Sequence, residues 1–136
     1  MLQTTLPYAT IIVLLAILQL LYFATAVGRA RGRHGVEAPA VSGDEHFERF
    51  HRAHQNTLEQ IVIFIPAIFA SAVYGSFWAT LIAGVAYLVG RMWYFRNYIK
   101  EPSSRGGGML LTVAASIALI VSGLIGAIRF IFLTTT

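Results

Sequence analysis

Four long apolar runs alternate with short polar stretches along the chain, at about residues 6–27, 58–73, 77–94 and 109–133. Each is close to the roughly 20 residues that a helix needs to cross a bilayer, so the pattern predicts four membrane-spanning helices. The second run does not begin where its helix should. Residues 48–69, ERFHRAHQNTLEQIVIFIPAIF, contain no turn signal, so one helix carries a charged stretch straight into an apolar span. With such approaches included, the spans reach about 6–28, 46–73, 77–99 and 107–133 of a single domain covering 1–136. The expected fold class is all-α, an integral membrane four-helix bundle.

Composition supports this solvent. The 136 residues are 57% hydrophobic and only 12% charged, with a mean hydropathy of +0.68. Soluble domains carry about 25% charged residues, enough to cover an apolar core, and this chain does not. It has no cysteine, so disulfides, a protein thiolate nucleophile and cysteine metal sites are excluded. The basic balance, pI about 9.9, reflects cytoplasmic loops rather than a nucleic-acid partner. The first run is preceded by no Lys or Arg and exceeds a usual signal h-region, so it reads as a retained span.

The placement of charge predicts orientation. Arg29, Arg31, Arg33, Arg49, Arg52, Arg91, Arg96, Lys100 and Arg105 lie at or near the first and third connections, whereas Tyr74-Gly75-Ser76 is uncharged. The positive-inside tendency therefore puts those two connections in the cytoplasm and both termini on the opposite side. Small residues at helical spacing (Ala83, Ala86 and Gly90, then Ala115, Ala118, Ser122 and Gly126) predict close approach of the third and fourth helices. Pro66 removes a donor to the carbonyl of Val62 and predicts a bend in the second helix.

Two polar faces carry the candidate chemistry. On a helix, Arg52, Asn56 and Glu59 fall within roughly 60° of one another. An acid there is costly unless partnered, which leaves two readings open: an internal ion pair with Arg52, or a ligand site. Arg91, Tyr94 and Tyr98, at i, i+3 and i+7, share a second face; Pro102 ends that helix and Arg105 precedes the fourth. The tyrosines also suit an interfacial aromatic belt. Both clusters sit at the same expected depth. Together they suit a small zwitterionic ligand with more negative than positive groups.

The run ERFHRAHQNTLEQ, the proline-containing apolar run after it, and YFRNYIKEPSSR resemble the membrane-associated proteins in eicosanoid and glutathione metabolism. The pattern R-A-x-x-N-x-x-E followed by Y-x-x-x-Y-x₆-R matches in order, spacing and loop placement, over most of the chain. The likeness is greatest to the microsomal glutathione transferases of that family. It implies a homotrimer that binds glutathione as co-substrate between neighbouring subunits near the cytoplasmic surface. It further implies that Arg52, Asn56, Glu59, Tyr94 and Tyr98 hold the peptide, that Arg31 contributes from the first connection, and that Arg105 faces the sulfur. Gln60 stands where the leukotriene-forming members have tyrosine, and Arg31-Gly32 where they have two arginines.

The chemistry so implied is thiol activation. A thiol of pKa near 8.5 is only a few per cent ionised at pH 7, and a fixed guanidinium beside it favours the thiolate. The expected second substrate is an apolar electrophile reaching the site from the membrane lipid, with lipid hydroperoxide reduction as an accompanying activity; no metal is required. Three rivals use fewer of these residues. Glu48-x-x-His51 has the spacing of a di-iron helix motif but occurs once. A proton-coupled multidrug transporter would use Glu59 alone, and a lipid-binding scaffold would use none of the cluster.

Overall fold

A computed structural model describes residues 2–134. Among these, four α-helices follow one another up and down: α1 (Leu2–His34), α2 (Glu45–Tyr74), α3 (Phe77–Lys100) and α4 (Gly106–Thr134), with a 3₁₀ turn at Pro102–Arg105 before the last. No strand occurs among the described residues. The molecule is an all-α membrane bundle, and α2 lies centrally, packed on the other three.

Three helical segments, Thr4–His34, Glu45–Tyr74 and Pro102–Thr134, are long and apolar enough to cross a membrane. The 24 residues of α3 span about 36 Å, enough to cross a hydrocarbon core of about 30 Å. Its polar residues turn inward: Arg91, Tyr94 and Tyr98 are buried, while Trp78, Ile82, Val85, Val89 and Trp93 form the exposed apolar stripe. The four expected spans thus correspond to four helices.

The first helix runs further than its apolar segment. Arg29, Arg31 and Arg33, read from sequence as loop residues, belong to its last turns. Nothing interrupts the helix until Gly35, whose φ of +66° suits a left-handed cap, and Val36 N–H donates to Arg31 O at 3.1 Å to close it. Cations at this end also meet the negative pole of the helix dipole. Helix α2 runs unbroken through Pro66.

Three levels fill the bundle interior. At the α2–α3 turn, Ser71, Thr80 and Ser122 form a hydroxyl cluster, with Ser71 Oγ 2.7 Å from Thr80 Oγ1 and donating to Ser122 Oγ at 3.0 Å. The middle is apolar, centred on Phe64 and Tyr87, whose rings stack 3.7 Å apart. Toward the other end, Phe23 stacks on Phe95 at 3.9 Å beside Ala53, Tyr94 and Tyr98. Small residues set these contacts. The Cα of Tyr94 lies 2.7 Å from where a Cβ on Gly108 would stand, so α4 starts directly against the backbone of α3.

Candidate functional site

The charged beginning of α2 is held by its cap. Asp44 accepts a hydrogen bond from Phe47 N–H at 2.9 Å, and Gly43 N–H donates to Glu48 Oε1 at 3.1 Å. The Phe47 amide, helped by His34 and His46, holds the Asp44 carboxyl below its ordinary pKa. One turn on, Arg49 bonds Glu45 at 2.5 Å and donates to the terminal Lys100 carbonyl of α3 at 2.8 Å. Together these set where α2 begins and how it lies against α3. From that start, Arg52, Asn56 and Glu59 come round on one face.

This face meets α3 in a cavity of about 360 Å³, lined by Arg52, Asn56, Glu59, Gln60, Arg91, Tyr94, Tyr98, Arg105 and Met109. That volume lies in the range of about 300–1,000 Å³ common for small-molecule sites. Asn56 Nδ2 donates to the Tyr94 hydroxyl at 2.6 Å, joining the two helices. The rings of Tyr94 and Tyr98 lie 5.5 Å apart. The Arg91 guanidinium rests 4.1 Å over the Tyr94 ring and donates to Thr57 Oγ1 at 2.9 Å.

Arg105 is delivered by the 3₁₀ turn. Asn97 Nδ2 donates to Ser104 O at 3.1 Å, and Ser104 Oγ donates to Glu101 O at 2.7 Å, folding the turn back on the end of α3. The guanidinium then stands 5.6 Å over Tyr98 and donates to Pro102 O at 3.3 Å. It is otherwise exposed at the cavity rim.

Six of the seven residues that the resemblance assigns to the site therefore meet in one cavity, joined by Arg91 from the second polar face. Arg31 is the exception. Its guanidinium donates to Ala40 O at 2.6 Å and covers the Phe47 ring at 4.7 Å, lining a shallow depression of about 620 Å³ with Gly28, Gly32, Gly35, Val36, Glu37 and Ala38. Apart from Arg31 and Glu37 that depression offers backbone and small side chains, so the convergent chemistry lies in the smaller cavity. Met109 gave no advance signal as a lining residue, and Gln60 stands out only through the resemblance, as a departure from tyrosine. Arg91 gave one through its i, i+3, i+7 spacing with the tyrosines, but its burial at 1% exposure was not readable from sequence.

The cavity holds three guanidiniums against one carboxylate. Among the described residues no ion pair involves Arg52, Glu59, Arg91 or Arg105, so the internal Arg52–Glu59 pair does not form. The Glu48 carboxylate is engaged at the helix cap, and among the described residues no group of three His, Asp or Glu side chains is placed to hold a metal. Such a site favours a ligand rich in anionic oxygen or sulfur with at least one positive group.

Known proteins share this arrangement of sequence. The chain is 36% identical to an uncharacterised protein of Synechocystis sp., over 92% of its own length and 91% of the relative's. It is 36% identical to microsomal glutathione S-transferase 2 of Mus musculus, over 87% and 81% of the two chains. With leukotriene C4 synthase of Cavia porcellus it shares 34% identity, over 69% and 63%. The MAPEG family pattern matches residues 9–125, a stretch that includes parts of all four helices and every residue lining the cavity. The chain belongs to the MAPEG family.

Proposed function

We propose that this protein is a membrane-bound glutathione transferase that ionises the glutathione thiol and joins its sulfur to apolar electrophiles. One observation carries the reading: Arg52, Asn56, Glu59, Tyr94, Tyr98 and Arg105, from three separate elements, line a single cavity. The names of the transferase and synthase relatives support it at the level of the family.

In this reading the arginines receive the carboxylates of the tripeptide and Glu59 receives its ammonium group, with Asn56 and the tyrosines fixing the polar middle. Arg105, exposed at the rim, faces the sulfur. A guanidinium there stabilises the thiolate without itself taking the proton, which leaves to water. A thiol pKa lowered by two units corresponds to about 2.7 kcal/mol of differential stabilisation, within the reach of one partly desolvated cation. The thiolate then forms a C–S bond with the electrophilic carbon, and the leaving group departs with its electron pair. Met109 on the wall and the exposed Leu58, Val62 and Leu110 nearby give an apolar second substrate a path from the bilayer.

Arg52 and Glu59 are exposed on a flank that also bears Leu58, Val62 and Ile63. Charges in such surroundings are costly when they face lipid, which supports a second copy covering this side in a homotrimer. Arg31, held outside its own chain's cavity, then serves a neighbour's. The clustering of cations in the first and third connections supports a cytoplasmic position for the cavity.

Calorimetric titration of the detergent-solubilised protein with glutathione tests the proposal. The wild type binds, and Glu59→Gln binds about tenfold more weakly through loss of a charged partner. No heat of binding in the wild type would overturn it. A proton-coupled transporter would instead move a cationic dye in vesicles and stop when the proton gradient is dissipated.

A further inference from the structure

Beneath the rim, the cavity rests on a cation without a counter-ion. Arg91 is 1% exposed, and its Nε has no hydrogen-bond partner. Its surroundings are neutral: it donates to Thr57 Oγ1, lies on the face of the Tyr94 ring and has the Tyr87 and Tyr94 phenols beside it, none of them a carboxylate. The counter-charge is what sets it apart. Arg49 Nε is also buried without a partner, but the Arg49 guanidinium is paired with the Glu45 carboxylate, and Arg31 lies on two backbone carbonyls. Glu59 shares the cavity with Arg91 but forms no ion pair with it. A buried cation left this way is costly, and removing such a charge is often neutral or stabilising. Nor is it needed to satisfy Thr57, whose hydroxyl already donates to Ala53 O at 2.8 Å.

We infer that Arg91 is an anion-receiving residue in the cavity floor, whose missing counter-charge is supplied by an anionic group of the bound ligand. The inference rests on the glutathione reading of the cavity and adds a residue to it. Tyr94 links the two levels. Its ring lies on the Arg91 guanidinium and its hydroxyl meets Asn56 in the cavity wall, so a charge in the floor acts on whatever the wall holds. Occupation by an anion relieves the uncompensated charge, so part of the binding free energy comes from the floor. A second consequence follows: the empty protein carries a cost that the occupied protein does not.

A purely structural strut and an anion receiver predict opposite behaviour on removal of the charge. The full-length protein in detergent is compared with Arg91→Met and Arg91→Lys, by thermal unfolding without ligand and by calorimetric titration with glutathione. The expected result is that Arg91→Met unfolds at or above the wild-type temperature when empty, yet binds glutathione at least about tenfold more weakly. Arg91→Lys, which keeps the charge, recovers part of the affinity. Unchanged affinity in Arg91→Met would overturn the inference. So would a lower unfolding temperature of the empty variant, with or without weaker binding, because that marks a strut. Failure of the wild type to bind glutathione would overturn the proposed function and this inference with it, whereas binding by the wild type with unchanged affinity in Arg91→Met would overturn the inference alone.

Discussion

The two ends of this bundle solve the burial of polar groups in opposite ways. At the α2–α3 turn, Ser71 Oγ donates to Ser122 Oγ and lies 2.7 Å from Thr80 Oγ1, which donates to Ser76 O at 2.9 Å, and Ser76 N–H donates to Ser122 Oγ at 3.1 Å. Every hydroxyl in that cluster has a partner within the chain. The connection is two residues long and the helices are clamped. At the cavity end, the arginines outnumber the acids, Arg91 Nε has no partner, and Arg52 and Glu59 stand exposed. The first end is complete in itself; the second leaves charges without partners in the chain, which on the proposed function a bound ligand would supply. Satisfied polar groups suit an anchor, and unsatisfied ones suit the receptor proposed above.

The comparison can be broken most severely at the joint between α3 and α4. Gly108→Val places side-chain carbon where the Tyr94 backbone lies, and overpacking of this kind costs about 1–3 kcal/mol. The expected outcome is a lower unfolding temperature together with loss of glutathione binding, because Tyr94 and Arg105 move apart. Arg105→Ala should fold and bind normally but conjugate about a hundredfold more slowly near pH 6.5, the difference shrinking above pH 8.5 as the free thiol ionises unaided. A rate–pH profile measures this. Tyr94→Phe removes the acceptor for Asn56 and should weaken glutathione by about tenfold, readable by titration. At the anchor end, Ser122→Ala should lower stability by about 0.6 kcal/mol and leave glutathione affinity unchanged. A shared effect on both quantities would show that the two ends are not separable.

The smallest effect concerns the cap of α2. Because the Asp44 carboxyl is held below its ordinary value of 3.8, its cap is intact above that value and is lost as pH falls through the lower folded-state midpoint. Unfolding temperatures of wild type and Asp44→Ala should therefore differ at neutral pH and converge under strong acid. Glutathione binding should weaken over the same acid range, since the cap sets the lie of Arg52, Asn56 and Glu59.

Much of this was legible along the chain because hydropathy reports lipid-facing residues and period reports faces. The four helices follow from apolar runs, and the two polar faces follow from i, i+3, i+4 and i+7 spacings. The meeting of Arg52, Asn56 and Glu59 with Tyr94 and Tyr98 was expected from their common depth and the resemblance. What hydropathy could not report is helix that continues beyond the bilayer. The arginines after Val27 looked like loop because they are charged, yet only Gly35 stops α1. That difference moves Arg31 onto Phe47 and out of its own chain's cavity. The depth of Arg91 was hidden for another reason. A charged residue in an aromatic stretch near a helix end reads as interfacial, and only packing by the Tyr94 ring and Thr57 turns it inward. The hydroxyl cluster likewise depends on three helices meeting, which spacing within one helix does not reveal.

The central claim is that a positively charged cavity holds glutathione as its thiolate. The ultraviolet absorbance of the thiolate, followed as a function of pH with glutathione bound to the wild-type protein, tests it directly. The expected midpoint lies near pH 6.5, about two units below that of the free thiol, and returns to about 8.5 in Arg105→Ala. A midpoint for bound glutathione equal to that of glutathione in water would contradict the account.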